Sequence, residues 1–365
     1  MKYIVDYYND TLISIINLRE QCDSVLEIPG LSPWLAMSLL QKAIRRGRVD
    51  LALCAARALY RKSPDRLWRR LAVIAFEDVG LADIDAVGLV LAGLSGRKRW
   101  ARIGGEWAVV SYLTLHLARA CKCRATDDLV IVADWHLDLE DVRLSMTYQP
   151  FRTLIEHLRS DAPLESRAVA LRYCLGTDRF PSFNMRPRKG DPKALFECFE
   201  NSQVPMTVVA LASEGFKKGA GLLAPHLMLL WQERSARSLA CMADELPEET
   251  QISGIPSWCF DMHVREGNRA FARFLEADCR TARWIAQHVP KDERVAYLAG
   301  IAFRHEASLV NRRLQWGAGY RIRKMADLGC SGAGIRDCSE VLHLLGEDHA
   351  LLNQVRRSVC VPNSR

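Results

Sequence analysis

Apolar residues recur along most of this chain at the three- and four-residue spacing that places them on one face of a helix. Met37, Leu40 and Ile44 follow it within 36–46, and Leu51, Cys54, Ala55, Ala58 and Leu59 follow it behind Asp50, a capping residue type. Leu67, Leu71 and Ile74 repeat the pattern after Ser63-Pro64-Asp65, a helix start with proline near the first turn. The pattern predicts helices through 34–78, joined by turns at Gly47-Arg48 and Ser63-Pro64. Further helices are predicted near 84–95, 104–121, 150–160, 164–175, 191–200, 219–243, 265–288, 293–312 and 336–357. Two short β-branched runs, 128–133 and 206–212, fit a strand or a buried helix segment. The predicted fold class is all-α, a helical multi-hairpin array.

Two irregular stretches divide the array. Residues 178–193 form a basic loop rich in Pro and Arg, and 244–258 form an acidic, proline-punctuated connection. The predicted organisation is therefore 1–135, a middle region 136–243 that carries the basic loop, and a C-terminal region 244–365.

Composition adds little to this until charge is placed along the chain. The 365 residues are 49% hydrophobic and 25% charged, enough for a large packed core. No apolar run approaches the ~20 residues of a spanning helix, and the first residues lack a basic segment followed by an apolar one. These features predict a cytoplasmic protein with no membrane partner. The 12 cysteines are scattered apart from Cys121 and Cys123, which predicts mostly buried free thiols in a reducing compartment.

One block carries a family signature. Ser38-Leu-Leu-Gln-Lys-Ala-Ile-Arg-Arg46 leads through Val49 to Arg57 and on to Arg69-Arg-Leu-Ala-Val-Ile-Ala-Phe-Glu-Asp-Val-Gly-Leu-Ala-Asp83. Over about 34–135 the chain resembles the C-terminal helical region of the RarA (MgsA) family, replication-associated AAA+ ATPases related to clamp loaders. Arg69, Arg70, Leu71, Glu77, Asp78, Gly80, Leu81, Ala82 and Asp83 match best. Gly105-Glu106-Trp107-Ala108 and the run to Lys122 resemble the family's next helix, with Cys121 and Cys123 where the family turn has Pro and Ser. The resemblance implies a collar-like N-terminal part and homo-oligomer assembly, with DNA and a replication or repair protein as partners. This chain contains no Gly-Lys dipeptide, so it holds no Gly-x-x-x-x-Gly-Lys phosphate loop. The resemblance thus implies a non-ATPase role in DNA replication, repair or mobile-element maintenance, with no cofactor.

Charge sharpens that expectation. Between Lys42 and Arg70 lie ten Lys or Arg against two Asp, a local excess of eight, while the whole chain carries +7. A second cluster runs Arg97-Lys98-Arg99-Trp100-Ala101-Arg102, and a third spans Arg312 to Lys324 with Trp316 and Tyr320 interleaved. Such clusters attract phosphates by counterion release. Arg45, Arg46, Arg48, Arg97, Lys98, Arg99 and Arg102 are the predicted nucleic-acid contacts. Glu77 and Asp78 fall at a helix C-terminus, where the helix dipole disfavours carboxylates, so each needs a cation. Arg69, Arg70 and Lys42 are the candidates for a structural ion-pair staple.

An alternative chemistry uses two Asp-x-His pairs. Asp134 and His136, joined by Asp261, His263 and Glu266, would make the site of a metal-dependent hydrolase or nuclease if the pairs converge. A pure protein-interaction scaffold is the third reading. Cys330, Cys338, His343 and His349 lack zinc-finger spacing, and no metal site is expected. Gly329-Cys-Ser-Gly-Ala-Gly334 fits a flexible turn, or a backbone nest for an anion.

Overall fold

A computed structural model describes residues 2–18, 26–100, 105–234 and 240–360. Those residues form twenty α-helices and four two-residue strands, an all-α array. Local chemistry sets many of the starts. The Ser32 hydroxyl accepts from Leu35 N at 3.2 Å and Pro33 fills the first turn of Pro33–Arg45. Asp83 and Asp191 cap Ile84–Ser95 and Pro192–Glu200 through Ala86 N at 2.8 Å and Ala194 N at 3.0 Å.

Both β-branched runs are helical, inside Ala125–Trp135 and Met206–Lys217, where most of their residues are buried. The pattern reading omitted Lys2–Asn17, whose Tyr8 and Leu12 enter the core and whose Tyr8 hydroxyl donates to Asp85 at 2.8 Å. Three long predicted helices are broken. The 265–288 run is Arg265–Phe274 and Arg280–His288, with the Cys279 side chain accepting from Ala282 N at the second start. The 336–357 run is Ser339–Glu347 and His349–Cys360. Among the described residues of 219–243 the helix is Leu223–Glu233, and Cys241–Met242 pairs antiparallel with Arg313–Leu314.

Apolar burial divides into two cores. The first gathers residues from Tyr8 to Val264 and adds Leu314, Ile322, Ala326 and Cys330. The second is built from Phe271 to Leu352. Gly47, in the turn between Pro33–Arg45 and Val49–Lys62, has φ of 67°, and a Cβ there would stand 2.1 Å from Asn311 Nδ2. The left-handed backbone favours glycine here, and any side chain would also have to displace the Asn311 amide. No helix among the described residues is long and apolar enough to cross a membrane.

The cysteine expectation needs one correction. Cys121 and Cys241 are joined as a disulfide across a separation of 120 residues. Eight other described cysteines are buried free thiols, and Cys360 is half-buried. The pairing was invisible in spacing because the long connection brings Cys241 back only when its strand pairs with Arg313–Leu314.

Candidate functional site: a cleft between the two cores

A cleft of about 1040 Å³ opens where the cores meet. Its lining comes from Pro33–Arg45, the Glu77 turn, Ala125–Trp135, the tip of the 178–193 loop, Arg294–Ala302 and 326–335.

The inner wall is an ion network. Arg45 Nε lies 2.6 Å from Asp78 Oδ1, and its Nη2 lies 2.6 Å from Glu77 Oε1. Arg124 Nη1 reaches Asp78 Oδ1 at 2.6 Å and Glu77 Oε1 at 3.2 Å, and its Nη2 pairs with Asp127. Gln41 Nε2 donates to Asp78 Oδ2 at 3.0 Å. The Glu77 and Asp78 turn is wound wider than an α-helix, with Gly80 N bonded to Ala75 O. A second wide turn, Phe303–Ala307, closes with Ser308 N on Phe303 O at 2.8 Å. Such turns recur at functional sites because they re-aim side chains. Here the Phe303 ring meets the Arg45 and Arg124 guanidiniums at 5.5 and 5.9 Å.

Three carboxylates share two guanidiniums in this wall, and Asp128 lies beside them. Burial pushes the Asp78 carboxyl up, but Arg45 and Arg124 hold it below its ordinary range. Asp127 goes the other way: burial, with Glu77 and Asp128 adding to it, outweighs Arg124 and raises it to about 7. Burial and Asp327 raise Asp128 to about 6.

Sequence reasoning foresaw a staple for Glu77 and Asp78 and misplaced its cations. Arg69 is exposed, and Arg70 bonds Gln41 Oε1 at 3.1 Å, reaching Asp78 only through that amide. Lys42 pairs with Asp261 at 2.8 Å. The partners are Arg45 and Arg124, and nothing local in the sequence marks Arg124 for the part.

Only the start of the basic run, Lys42, Arg45 and Arg46, is spent inside the protein, whereas Arg61, Lys62 and Arg69 are exposed. Arg45 is buried, so it presents no guanidinium to a surface ligand. Arg46 is buried as well, over the Trp258 ring at 5.1 Å and on Glu306 O at 2.9 Å. Arg48 pairs with Glu249 at 3.0 Å, and Arg97 with Asp65 at 2.5 Å and Glu106 at 2.7 Å. Lys98 and Arg99 are exposed, and Arg102 lies outside the described residues. In the third cluster Arg313 and Arg323 both hold Asp244, at 2.7 and 2.8 Å.

The two Asp-x-His pairs do not form a metal centre. Asp134 is gripped by Arg172 at 2.6 and 2.9 Å, and Asp261 by Lys42, so both carboxylates are already neutralised. His136 accepts from Asp138 N at 3.3 Å, and the His263 ring packs edge-on against Phe303. Glu266 lies outside the cleft lining. Among the described residues no three His, Cys, Asp or Glu are arranged to hold a metal ion.

The cleft rim is aromatic, which charge counting missed. Trp34, Trp135 and Phe183 are 61%, 42% and 88% exposed. Trp135 and Phe183 lie nearly parallel, 3° apart, with centroids separated by 6.2 Å. The 178–193 loop delivers Phe183, and its Asn184 Nδ2 donates to Asp134 O at 3.1 Å, tying the loop tip to the cleft. Arg66 stands 5.3 Å over Trp34. The chain matches no protein family, no curated protein and no solved structure.

Proposed function

We propose that this protein binds unpaired nucleic-acid bases at the cleft and acts, as a self-associating non-ATPase, in DNA replication, repair or mobile-element maintenance. The aromatic rim carries the reading. Large rings left in water lose hydrophobic stabilisation, and their clustering around one cleft is what a stacking platform requires. The Trp135 and Phe183 rings are parallel, and every base offers a face to such a surface. The loop behind Phe183 carries Arg179, Arg186, Arg188, Lys189 and Lys193 against two Asp, a supply of charge for a backbone. The replication setting and assembly rest on the resemblance of residues 34–135, and a cytoplasmic location on the chain's lack of a long apolar run and its scattered cysteines.

The test is titration of the full chain with fluorescent oligothymidylate and with duplex DNA at low and moderate salt. The expected result is tighter binding of the single strand, weakened by salt, with Trp135→Ala and Phe183→Ala each costing roughly tenfold. Equal affinity of both variants and wild type, or no single-strand binding, overturns the reading. The native mass with and without the oligonucleotide tests assembly in the same samples.

A further inference from the structure

The segment Gly329–Ile335 forms one wall of the cleft. Gly332, Ala333 and Gly334 have φ of 85°, 54° and 68°, three left-handed residues in a row. Ile335 N bonds Gly332 O at 3.1 Å, so Ala333 and Gly334 are the central residues of a tight turn. Glycine adopts such angles freely, but Ala333 does not, and a non-glycine residue held there costs about 1 kcal/mol. Among the described residues, the N–H groups of Gly332, Ala333 and Gly334 donate to no protein acceptor. Gly332 and Gly334 are exposed, and a Cβ on either would meet nothing within 4 Å. The turn therefore borders open space at both glycines.

Arg304 stands on the same wall. Its Nε donates to Ala326 O at 3.3 Å and its Nη2 to Cys330 O at 2.5 Å. These bonds fix the guanidinium against the base of the turn, and no carboxylate among the described residues pairs with it. Of the nearby acids in the lining, Asp327 is held by Arg323 at 3.2 Å and Asp127 by Arg124, Asp128 is buried and its carboxyl pushed up to about 6, and Glu293 is the exposed one.

We propose that Arg304 and the left-handed turn at Gly332–Gly334 form an oxyanion site on the cleft wall that takes a phosphate group. A half-buried guanidinium fixed on the Cys330 carbonyl, two residues before a turn whose amides are unused, offers the charge and backbone donors that phosphate recognition combines. The phosphate belongs to a nucleic-acid strand or to a free nucleotide. The assignment to nucleic acid rests on the proposed stacking function, whereas the anion site itself does not.

Calorimetric titration of the full chain with inorganic pyrophosphate, and in parallel with oligothymidylate, tests the site. Wild type should bind pyrophosphate. Arg304→Gln removes the charge, and Ala333→Pro forces φ to negative values and deletes one donor. Each should weaken pyrophosphate roughly tenfold, while Ala333→Gly should bind as wild type. Ala333 is half-buried against the second core, so the unfolding midpoint of Ala333→Pro is read beside wild type, and an unchanged midpoint lets it carry the comparison if Arg304→Gln melts early. No binding of pyrophosphate, or wild-type affinity in both disruptive variants, overturns the site. Pyrophosphate binding without oligothymidylate binding supports the anion site with a free nucleotide as source, and removes the stacking function. Oligothymidylate binding unaffected by either variant, with pyrophosphate unbound, removes the anion site alone.

Discussion

Arg45 and Asp78 meet at 2.6 Å with both side chains out of water, and Arg124 approaches the same carboxylate oxygen at 2.6 Å. Asp78 is therefore the common counter-ion of two buried guanidiniums that come from opposite ends of the first hundred-odd residues. Removing it leaves Glu77 and Asp127 to serve both. Breaking a buried pair by deleting one partner costs about 3–5 kcal/mol, since a charge remains without compensation. Asp78→Asn should lower unfolding free energy by that amount, read by urea denaturation. A loss below about 0.5 kcal/mol, the scale of an ordinary surface change, would show that the network contributes nothing.

Stability should fall between weakly acidic and neutral pH because of Asp127 and Asp128. Their folded values stand at about 7 and about 6, above the ordinary carboxylate range. Between about pH 4 and their folded values the unfolded chain has released these protons and the folded chain keeps them. Folding binds protons in that window, so raising pH across it weakens the fold. Asp78, Asp261 and Glu306, held low by arginine or lysine, act in the opposite sense and only in stronger acid. Asp127→Asn imitates the protonated acid. Its stability relative to wild type should therefore improve from about pH 5 to about pH 8, and an unchanged difference at the two pH values sinks the assignment.

The helical spacing was legible because it is local, and Gly80 ends the Glu77 turn with φ of 46°. The caps were not: Asp50 lies inside Val49–Lys62 and Ser63 makes no side-chain cap, while Ser32, Asp83 and Asp191 do the capping. The cleft was not legible, because its chemistry is made by residues far apart. Lys42 read as a cation for Glu77 and Asp78, and Arg45 and Arg46 as nucleic-acid contacts, yet Asp261, Asp78 and the Glu306 carbonyl hold them from distant segments. Of the positions that suggested DNA contact, Arg45 and Arg46 instead bond the Ala307 and Glu306 carbonyls across the chain. Phe183 sat in a loop whose charge was evident, but only the bond from Asn184 to Asp134 O puts that loop at the cleft rim. The 128–133 run read ambiguously because a helix buried on several faces loses its polar stripe.

The Cys121–Cys241 bond predicts a redox-dependent stability. It closes a separation of 120 residues, and cross-linking so long a loop stabilises by up to about 5 kcal/mol in the chain-entropy account. Alkylation of the denatured, unreduced protein should leave these two cysteines unmodified, and prior reduction should expose them. Cys241→Ser should unfold at the same denaturant concentration as the reduced wild type. Reaction of both thiols without reductant would remove the bond from the account.

Arg97 and its neighbours Lys98 and Arg99 should separate cleanly in experiment, although they are contiguous. Arg97 bridges Asp65 and Glu106, and the same Glu106 oxygen accepts from Trp68 Nε1 at 2.5 Å. The pair with Asp65 is open to solvent and worth little, so Arg97→Ala should cost about 1 kcal/mol or less through the Glu106 contact. It should leave nucleic-acid affinity unchanged. Lys98 and Arg99 are exposed. If they touch a phosphate backbone, the double change to Ala should leave the unfolding midpoint in place and reduce the slope of log affinity against log salt by about 2. A lowered midpoint with an unchanged slope would mean that this cluster, like the run from Lys42 to Arg48, serves the fold, and that the 178–193 loop alone supplies charge beside the stacking rings.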